Sequence, residues 1–192
     1  MNTLKGAVDE VQGAKVYVYD SQITVILMGW LVLAAAQMAE AGDDPEAILA
    51  RLDNLRTTMG EYFIVNDLQN LVRGGRLSNA SAFIGGMLKI KPLLTFDDQS
   101  HKIVAIEKIR SIKKAYSRVE TLFQEELDRV DYPVRAVVIH ANDPDEANRW
   151  LADLQQKFPT VPFELSYFGP VVGTHLGEKA IALAWMKDFT KA

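Results

Sequence analysis

Apolar positions along the chain switch between a period of two and a period near 3.6, and the switches mark the elements. Lys15 to Tyr19 is β-branched and aromatic and ends at Asp20-Ser21, which predicts a strand. The apolar run from Ile23 to Ala36, broken only by Thr24 and Gly29, predicts a helix buried on most sides. Asp43-Asp44-Pro45-Glu46 offers a capping carboxylate, a proline at the first helical position and a glutamate three residues after Asp43, so a helix starts there with Ile48, Leu52, Leu55 and Met59 as its apolar stripe. Tyr62 to Val65 reads as a short strand, and Asp67 to Val72 as a brief helix stopped by Gly74-Gly75. A further helix is expected from Asn79, capped by Ser78, with Ala80, Phe83, Ile84, Met87 and Leu88 on one side. The pair Gly85-Gly86 inside it costs about 0.5–1 kcal/mol per glycine relative to alanine and implies a close approach to the backbone.

Lys91 to Phe96 and Lys102 to Ile109, joined by Asp97-Asp98-Gln99-Ser100, predict a hairpin. Ser111 opens a long amphipathic helix with Ile112, Ala115, Val119, Leu122, Phe123 and Val130 inward. Val134 to Ala141 is a strongly apolar strand, and Asp143-Pro144-Asp145-Glu146 repeats the capping arrangement before a helix that buries Trp150, Leu151, Leu154 and Phe158. Val161 to Phe168 alternates as a half-buried strand would. The loop Gly169-Pro170-Val171-Val172-Gly173-Thr174-His175-Leu176-Gly177 then leads into an apolar helix from about Ala180. The fold class is α/β with one hairpin. The best domain boundary lies near Thr57 to Glu61, which separates a partial strand-and-helix segment, residues 1–59, from an α/β domain, residues 60–192.

Composition narrows the function. Hydrophobic residues make up 48% and charged residues 24% of 192, an ordinary globular balance. A formal charge of -4 argues against broad binding to nucleic acid, so any anion site is local. The absence of cysteine removes disulfides, thiol catalysis and cysteine-based zinc sites and fits a cytoplasmic address. The run at Ile23 to Ala36 is too short for a membrane span, and the acidic residues before it, Asp9, Glu10 and Asp20, do not suit a signal peptide.

Two constellations carry candidate chemistry. In Arg73-Gly74-Gly75-Arg76-Leu77-Ser78 the glycines permit positive φ and Arg76 projects a guanidinium beside an expected helix start, which suits a carboxylate or phosphate; equally, the glycines end a helix and the arginines are solvated. In Gly173-Thr174-His175-Leu176-Gly177 the flanking glycines let a hydroxyl and an imidazole approach a ligand, or the histidine is satisfied by backbone. His101 and His140 add no metal spacing, and neither a nucleophile elbow nor a phosphate loop is present, so no metal, cofactor or catalytic residue is expected. Lys108, Arg110, Lys113, Lys114 and Arg118 form a basic cluster that is either a solvated face or a docking surface for an acidic partner.

Taken together, Tyr62-Phe63-Ile64-Val65-Asn66-Asp67-Leu68, Gly74-Gly75-Arg76-Leu77-Ser78, Ala82-Phe83-Ile84-Gly85, Leu88-Lys89-Ile90-Lys91-Pro92-Leu93-Leu94, Glu107-Lys108, Lys113-Lys114-Ala115 and Gly169-Pro170-Val171-Val172-Gly173-Thr174-His175 resemble the DegV family in order and spacing over nearly the whole chain. The resemblance implies a bacterial lipid-binding protein of two α/β domains enclosing one long-chain fatty acid. It implies that residues 60–192 are the C-terminal domain and residues 1–59 part of a Rossmann-like N-terminal domain. It also implies a carrier, not an enzyme, whose bound carboxylate is presented to a separate fatty acid kinase for acyl-phosphate formation in phospholipid synthesis. Arg76, Thr174 and His175 would then lie at the head group, Phe83, Ile84 and Leu88 along the acyl chain, and Lys108 and Arg110 toward the kinase.

Three departures qualify the resemblance. The chain is expected to begin just after the family's serine and threonine motifs for the carboxylate, Val25, Ile26 and Leu27 fill a position often rich in serine and glycine, and Glu178-Lys179 stands where Pro-Gly is common. They suggest an incomplete form with weakened binding. Burying around a dozen methylenes would still contribute on the order of 10 kcal/mol before association costs. The alternative is a ligand-free interaction or structural protein on the same fold, with self-association left open, and a third reading is a transferase using Arg76 and His175 on an anion.

Overall fold

The computed structural model describes residues 2–8, 10–79, 90–97, 99–100 and 102–191 of the chain. The helix expected beyond Asn79, with Phe83, Ile84, Leu88 and Gly85-Gly86, and the hairpin residue His101 lie outside those residues. The chain divides into two compact units, Met1–Thr57 and Thr58–Ala192.

The first unit contains helices α1 (Asn2–Val8), α2 (Val25–Ala41) and α3 (Pro45–Arg56). Helix α2 ends at Gly42, which takes φ +90°, and packs against α3. The cap of α3 is Asp44, whose carboxylate accepts from the Ala47 N–H at 2.8 Å, while Pro45 supplies the first turn. Two expectations are corrected. Lys15 to Tyr19 belongs to no sheet: the Tyr17 hydroxyl donates to Glu46 at 3.3 Å and Lys15 approaches the same carboxylate at 3.8 Å. Composition favours extended backbone there, yet a strand also needs a neighbour's backbone, and the sheet of this protein is built wholly from residues after Thr58. Nor is α2 buried on most sides. Leu27, Trp30, Leu31 and Ala34 are buried, whereas Met28, Val32 and Leu33 are exposed at 44%, 61% and 53%.

The second unit is one six-stranded sheet with strands β1 (Gly60–Ile64), β2 (Lys91–Phe96), β3 (Ile103–Ile109), β4 (Val134–His140), β5 (Phe163–Tyr167) and β6 (Ile181–Lys187) in the order β3-β2-β1-β6-β4-β5. The expected hairpin is β2–β3, with Phe96 opposite Ile103 and Lys91 opposite Ile109. Only β4 and β5 are parallel neighbours; the other pairs are antiparallel. The outer side of β3 is partly covered by Leu77 to Asn79. Ser78 N–H and hydroxyl both donate to Ile103 O, at 3.0 and 3.1 Å, and the Asn79 amide bonds both backbone groups of Ala105.

Helices α5 (Ile112–Arg129) and α6 (Pro144–Lys157) bury their apolar stripes in the main core. Ala115, Val119 and Phe123 of α5 and Ala147, Trp150 and Leu154 of α6 join Ile64, Leu93, Ala136, Val138, Leu183 and Trp185 from one face of the sheet. Tyr116 stacks on Trp150 at 4.3 Å and Phe123 meets Trp185 at 5.1 Å. The Trp185 ring lies over Gly60 so closely that a Cβ there would sit 2.4 Å from it, which is why the residue opposite Trp185 carries no side chain. Ser111 caps α5 as expected, accepting from Lys114 N–H at 3.3 Å. Asp143 caps nothing with its side chain. Its N–H donates instead to His140 Nδ1 at 3.2 Å, and Glu146 turns to Arg149.

The largest correction is the C-terminal segment. The residues expected as a loop form helix α7 (Gly169–Leu176), and the helix expected from Ala180 is strand β6, in the middle of the sheet between β1 and β4. A central strand is buried on both faces, so Ile181 to Met186 is apolar at every position and loses the alternation that would mark it as a strand. Helix α4 (Gln69–Arg73) is the brief helix expected before Gly74-Gly75 and packs against α7.

Candidate functional site

Strands β1, β4 and β5 all run the same way, because β1 and β4 flank the antiparallel β6. Their C-terminal ends therefore gather at one end of the sheet, with the starts of β2 and β6 and the end of β3, and such an end is where α/β folds place ligands. Helix α7 connects the end of β5 to the start of β6, and α4 follows the end of β1.

Residues Leu71 to Arg76 form a closed helix terminus. Gly75 takes φ +65°, its N–H donates to Val72 O at 3.1 Å, and the Arg76 N–H donates to Leu71 O at 2.9 Å, the reciprocal pair of a Schellman stop. Gly74 has φ -76°, which any residue can adopt, so its value lies in space. A Cβ on Gly74 would stand 3.2 Å from His175 Nδ1, 3.8 Å from Arg76 Cγ and 3.0 Å from Asn70 O. The bare backbone at Gly74 thus lets the imidazole and the arginine stem approach the same point from two sides. Arg76 and His175, distant in sequence, are neighbours here, with Arg76 exposed and His175 half-buried in the last turn of α7.

Thr174 is also on α7, not on a loop. Its hydroxyl donates to Pro170 O at 2.7 Å, one turn back, so its proton is committed within the helix and its oxygen is left as an acceptor. Phe83, Ile84 and Leu88 lie outside the described residues.

Several polar residues at this end were not singled out in the sequence. Asn70 places its amide 2.8 Å from where a Cβ on Gly177 would be, and Gly177 itself has φ +82°. Lys91 donates to Asn66, Asn66 donates to Glu178 O at 3.3 Å, and Asn142 donates to the Glu178 carboxylate at 3.3 Å, a chain of contacts that ties the turns after β1 and β4 to the turns before β2 and β6. Asn142 and Lys179 adopt positive φ, 55° and 62°, in those turns. Isolated asparagines carry no sequence signal of this kind, since the glycine that accommodates Asn70 is only recognisable once α4 and α7 are side by side.

The basic cluster is at the same end of the sheet, beyond β2. Lys108 and Arg110 are exposed at the end of β3, and Lys113 and Lys114 are exposed on the first turn of α5. Arg118 is not part of an open patch: its Nε lies 2.7 Å from Glu107 and it also approaches Glu125 at 3.9 Å. Among the described residues no cluster of three or more histidines and carboxylates could hold a metal ion, and no helix is long and apolar enough to cross a membrane.

Residues 1–188 match the model of a family described as "Uncharacterised protein, DegV family". A DegV domain-containing protein of Listeria monocytogenes is 45% identical over 175 residues, which is 91% of this chain and 61% of that protein. The crystal structure of DegV, a fatty acid binding protein from Bacillus subtilis, superimposes with a TM-score of 0.84 at 44% identity, covering 97% of this chain and 66% of that one. That of a fatty acid binding DegV family protein from Streptococcus agalactiae gives 0.84 at 33% identity, over 97% and 65% of the two chains. The chain therefore spans about three-fifths of the length of the curated relatives it matches.

Proposed function

The chain belongs to the DegV family, and from that premise we propose that it binds one long-chain fatty acid with the carboxylate at Arg76 and His175. The observation that carries the reading is the meeting of these two side chains over Gly74. An arginine stem and an imidazole that share this space can bring a guanidinium and an N–H to one carboxylate, and a hydrogen bond from each would fix its orientation. Thr174, whose hydroxyl donates to Pro170 O, serves the site by holding the last turn of α7, and the acyl chain is assigned to Phe83, Ile84 and Leu88. Residues 60–192 are read as the family's C-terminal domain and residues 1–59 as part of its N-terminal one.

We read the chain as a carrier: among the described residues the groups at the site are suited to holding an anion. We assign acyl-phosphate formation to a separate kinase, which docks on Lys108 and Arg110. A kinase drawing on cytoplasmic ATP places the carrier in the cytoplasm.

Native mass spectrometry of the purified chain tests the binding reading. A mass increment identified as a fatty acid after solvent extraction is expected, and it should be diminished in Arg76→Ala and His175→Ala. An increment unchanged in both variants would remove them from the site. For the docking surface, reversing the charge of Lys108 and Arg110 should slow association with the kinase at low salt and leave dissociation little changed; unchanged association would return the two residues to solvent.

A further inference from the structure

Among the described residues, strand β5 forms an open edge of the sheet. It pairs with β4 on one side only. Two bonds fix which of its backbone groups face that partner: Ala136 N–H donates to Pro162 O at 3.0 Å, and Phe168 N–H donates to His140 O at 3.0 Å. In a parallel ladder with Ala136 opposite Phe163, residues 162, 164, 166 and 168 turn both backbone groups toward β4. Phe163, Leu165 and Tyr167 therefore point their N–H and C=O outward, and among the described residues nothing bonds to them.

The usual protections of an edge are missing along these five residues. The strand contains no lysine, proline or bulge, and its one charge, Glu164, is drawn to Arg135. Leu165 and Tyr167 are exposed at 37% and 68%, and Val171, four residues on, at 75%. The opposite edge is treated differently, since Leu77 to Asn79 bond to β3 there.

We propose that β5 is the pairing edge of a homodimer, two copies joining antiparallel about a two-fold axis through Leu165 so that one sheet runs continuously across both. The register follows from the strand itself. Centred on Leu165, the pairing sets Leu165 against its counterpart and Phe163 against Tyr167 of the other copy, so every outward backbone group of the strand is bonded and the apolar side chains meet on one face. Glu164 then lies opposite Ser166. A shift of two residues would leave an outward residue unpaired, and in one direction would oppose the two Glu164 side chains; a shift of one would set outward groups against inward ones. An isologous pair of this kind needs no surface but the one already exposed. With short strands and few flanking side chains it falls at the small end of interface sizes, so the dimer is weak and concentration-dependent.

Sedimentation velocity on the full chain, from micromolar to near-millimolar concentration, tests the proposal with two substitutions at one position. Ser166→Lys places an ammonium opposite Glu164 of the other copy and Ser166→Glu places a carboxylate there, each twice per dimer. The dimer dissociation constant should fall in the first and rise in the second, with the two differing by about tenfold or more at low salt. Circular dichroism establishes that both variants are folded, and hydrogen exchange of the amides of Phe163, Leu165 and Tyr167 should slow as the wild-type dimer fills. A wild-type chain that stays monomeric throughout, with these amides exchanging freely, overturns the proposal and leaves the edge to a strand from another protein. A dimer equally populated in both Ser166 variants overturns it as well, because the interface would then be elsewhere.

Discussion

Replacing Gly74 and its neighbour Gly75 by alanine, one at a time, separates the two things a glycine can do. Gly75 stands at φ +65° with open space around its Cα, so Gly75→Ala pays only the left-handed backbone cost, about 1 kcal/mol, and touches nothing at the site. Gly74 has an ordinary φ of -76°, so Gly74→Ala carries no left-handed strain, but its methyl would press Asn70 O at 3.0 Å and His175 Nδ1 at 3.2 Å and lie in contact with Arg76 Cγ at 3.8 Å. A few tenths of an ångström of displacement is enough to misalign a hydrogen bond to a carboxylate. If that bond is lost, about 1.5–3 kcal/mol goes with it, or roughly a tenfold to hundredfold weaker Kd. The expected pattern is unequal: Gly75→Ala lowers the denaturant midpoint and leaves fatty-acid affinity nearly intact, while Gly74→Ala weakens affinity by more than the stability it loses against Asn70 O. The imidazole resonances of His175, followed by heteronuclear NMR without ligand, should move in Gly74→Ala and stay in place in Gly75→Ala. Affinity falling in proportion to stability in both variants, or a His175 signal indifferent to Gly74→Ala, would refute the shared site.

Further outcomes follow from other contacts. Gly60→Ala puts a methyl 2.4 Å from the Trp185 ring in a packed core and should destabilise the second unit by about 1–3 kcal/mol, read from denaturant midpoints with indole fluorescence. Burial, followed by hydrogen bonding and charge at the Asp53 carboxylate, pushes the Tyr19 hydroxyl up to about 12. A raised pKa means stability that is whole below the ordinary tyrosine value of 10.0 and lost as pH climbs through the folded value; Tyr19→Phe should flatten that alkaline limb. The Arg149 guanidinium holds the Glu146 carboxyl below its ordinary range against the opposing effect of burial, with the Tyr116 hydroxyl assisting. Stability from Glu146 is then present above pH 4.5 and lost as pH falls through the depressed value, so Glu146→Gln should reduce the acid dependence of the melting temperature.

What was legible in the sequence was whatever a single element decides locally. The hairpin at Lys91 to Ile109, the α5 stripe of Ala115, Val119 and Phe123, and the glycine stop after Val72 each declare themselves by spacing or turn chemistry, and the structure has them. The family resemblance was legible in the order of several weak motifs, and the match over residues 1–188 bears it out. Features that depend on neighbours were not legible. Ile181 to Met186 looks the same whether it is a buried helix or a strand buried on both faces, and only its place between β1 and β4 decides. Lys15 to Tyr19 has strand composition without a strand to pair with. At the site, Arg76 and His175 stood out by their flanking glycines, but the helix that carries His175, the reason for Gly74 and the part played by Asn70 all come from α4 and α7 lying together.

Isothermal titration of the delipidated chain with a long-chain fatty acid, below the concentration at which the free acid aggregates, bears most directly on the carrier reading. One ligand per chain is expected, with an enthalpy that becomes more favourable as temperature rises, because burial of the acyl chain gives a negative heat-capacity change. In His175→Ala the affinity should fall while that heat-capacity change persists, since the proposed site gives the imidazole the head group and buries the acyl chain away from it. Absence of saturable heat at any temperature, or binding with no heat-capacity change, would contradict the assignment of this protein as a fatty-acid carrier.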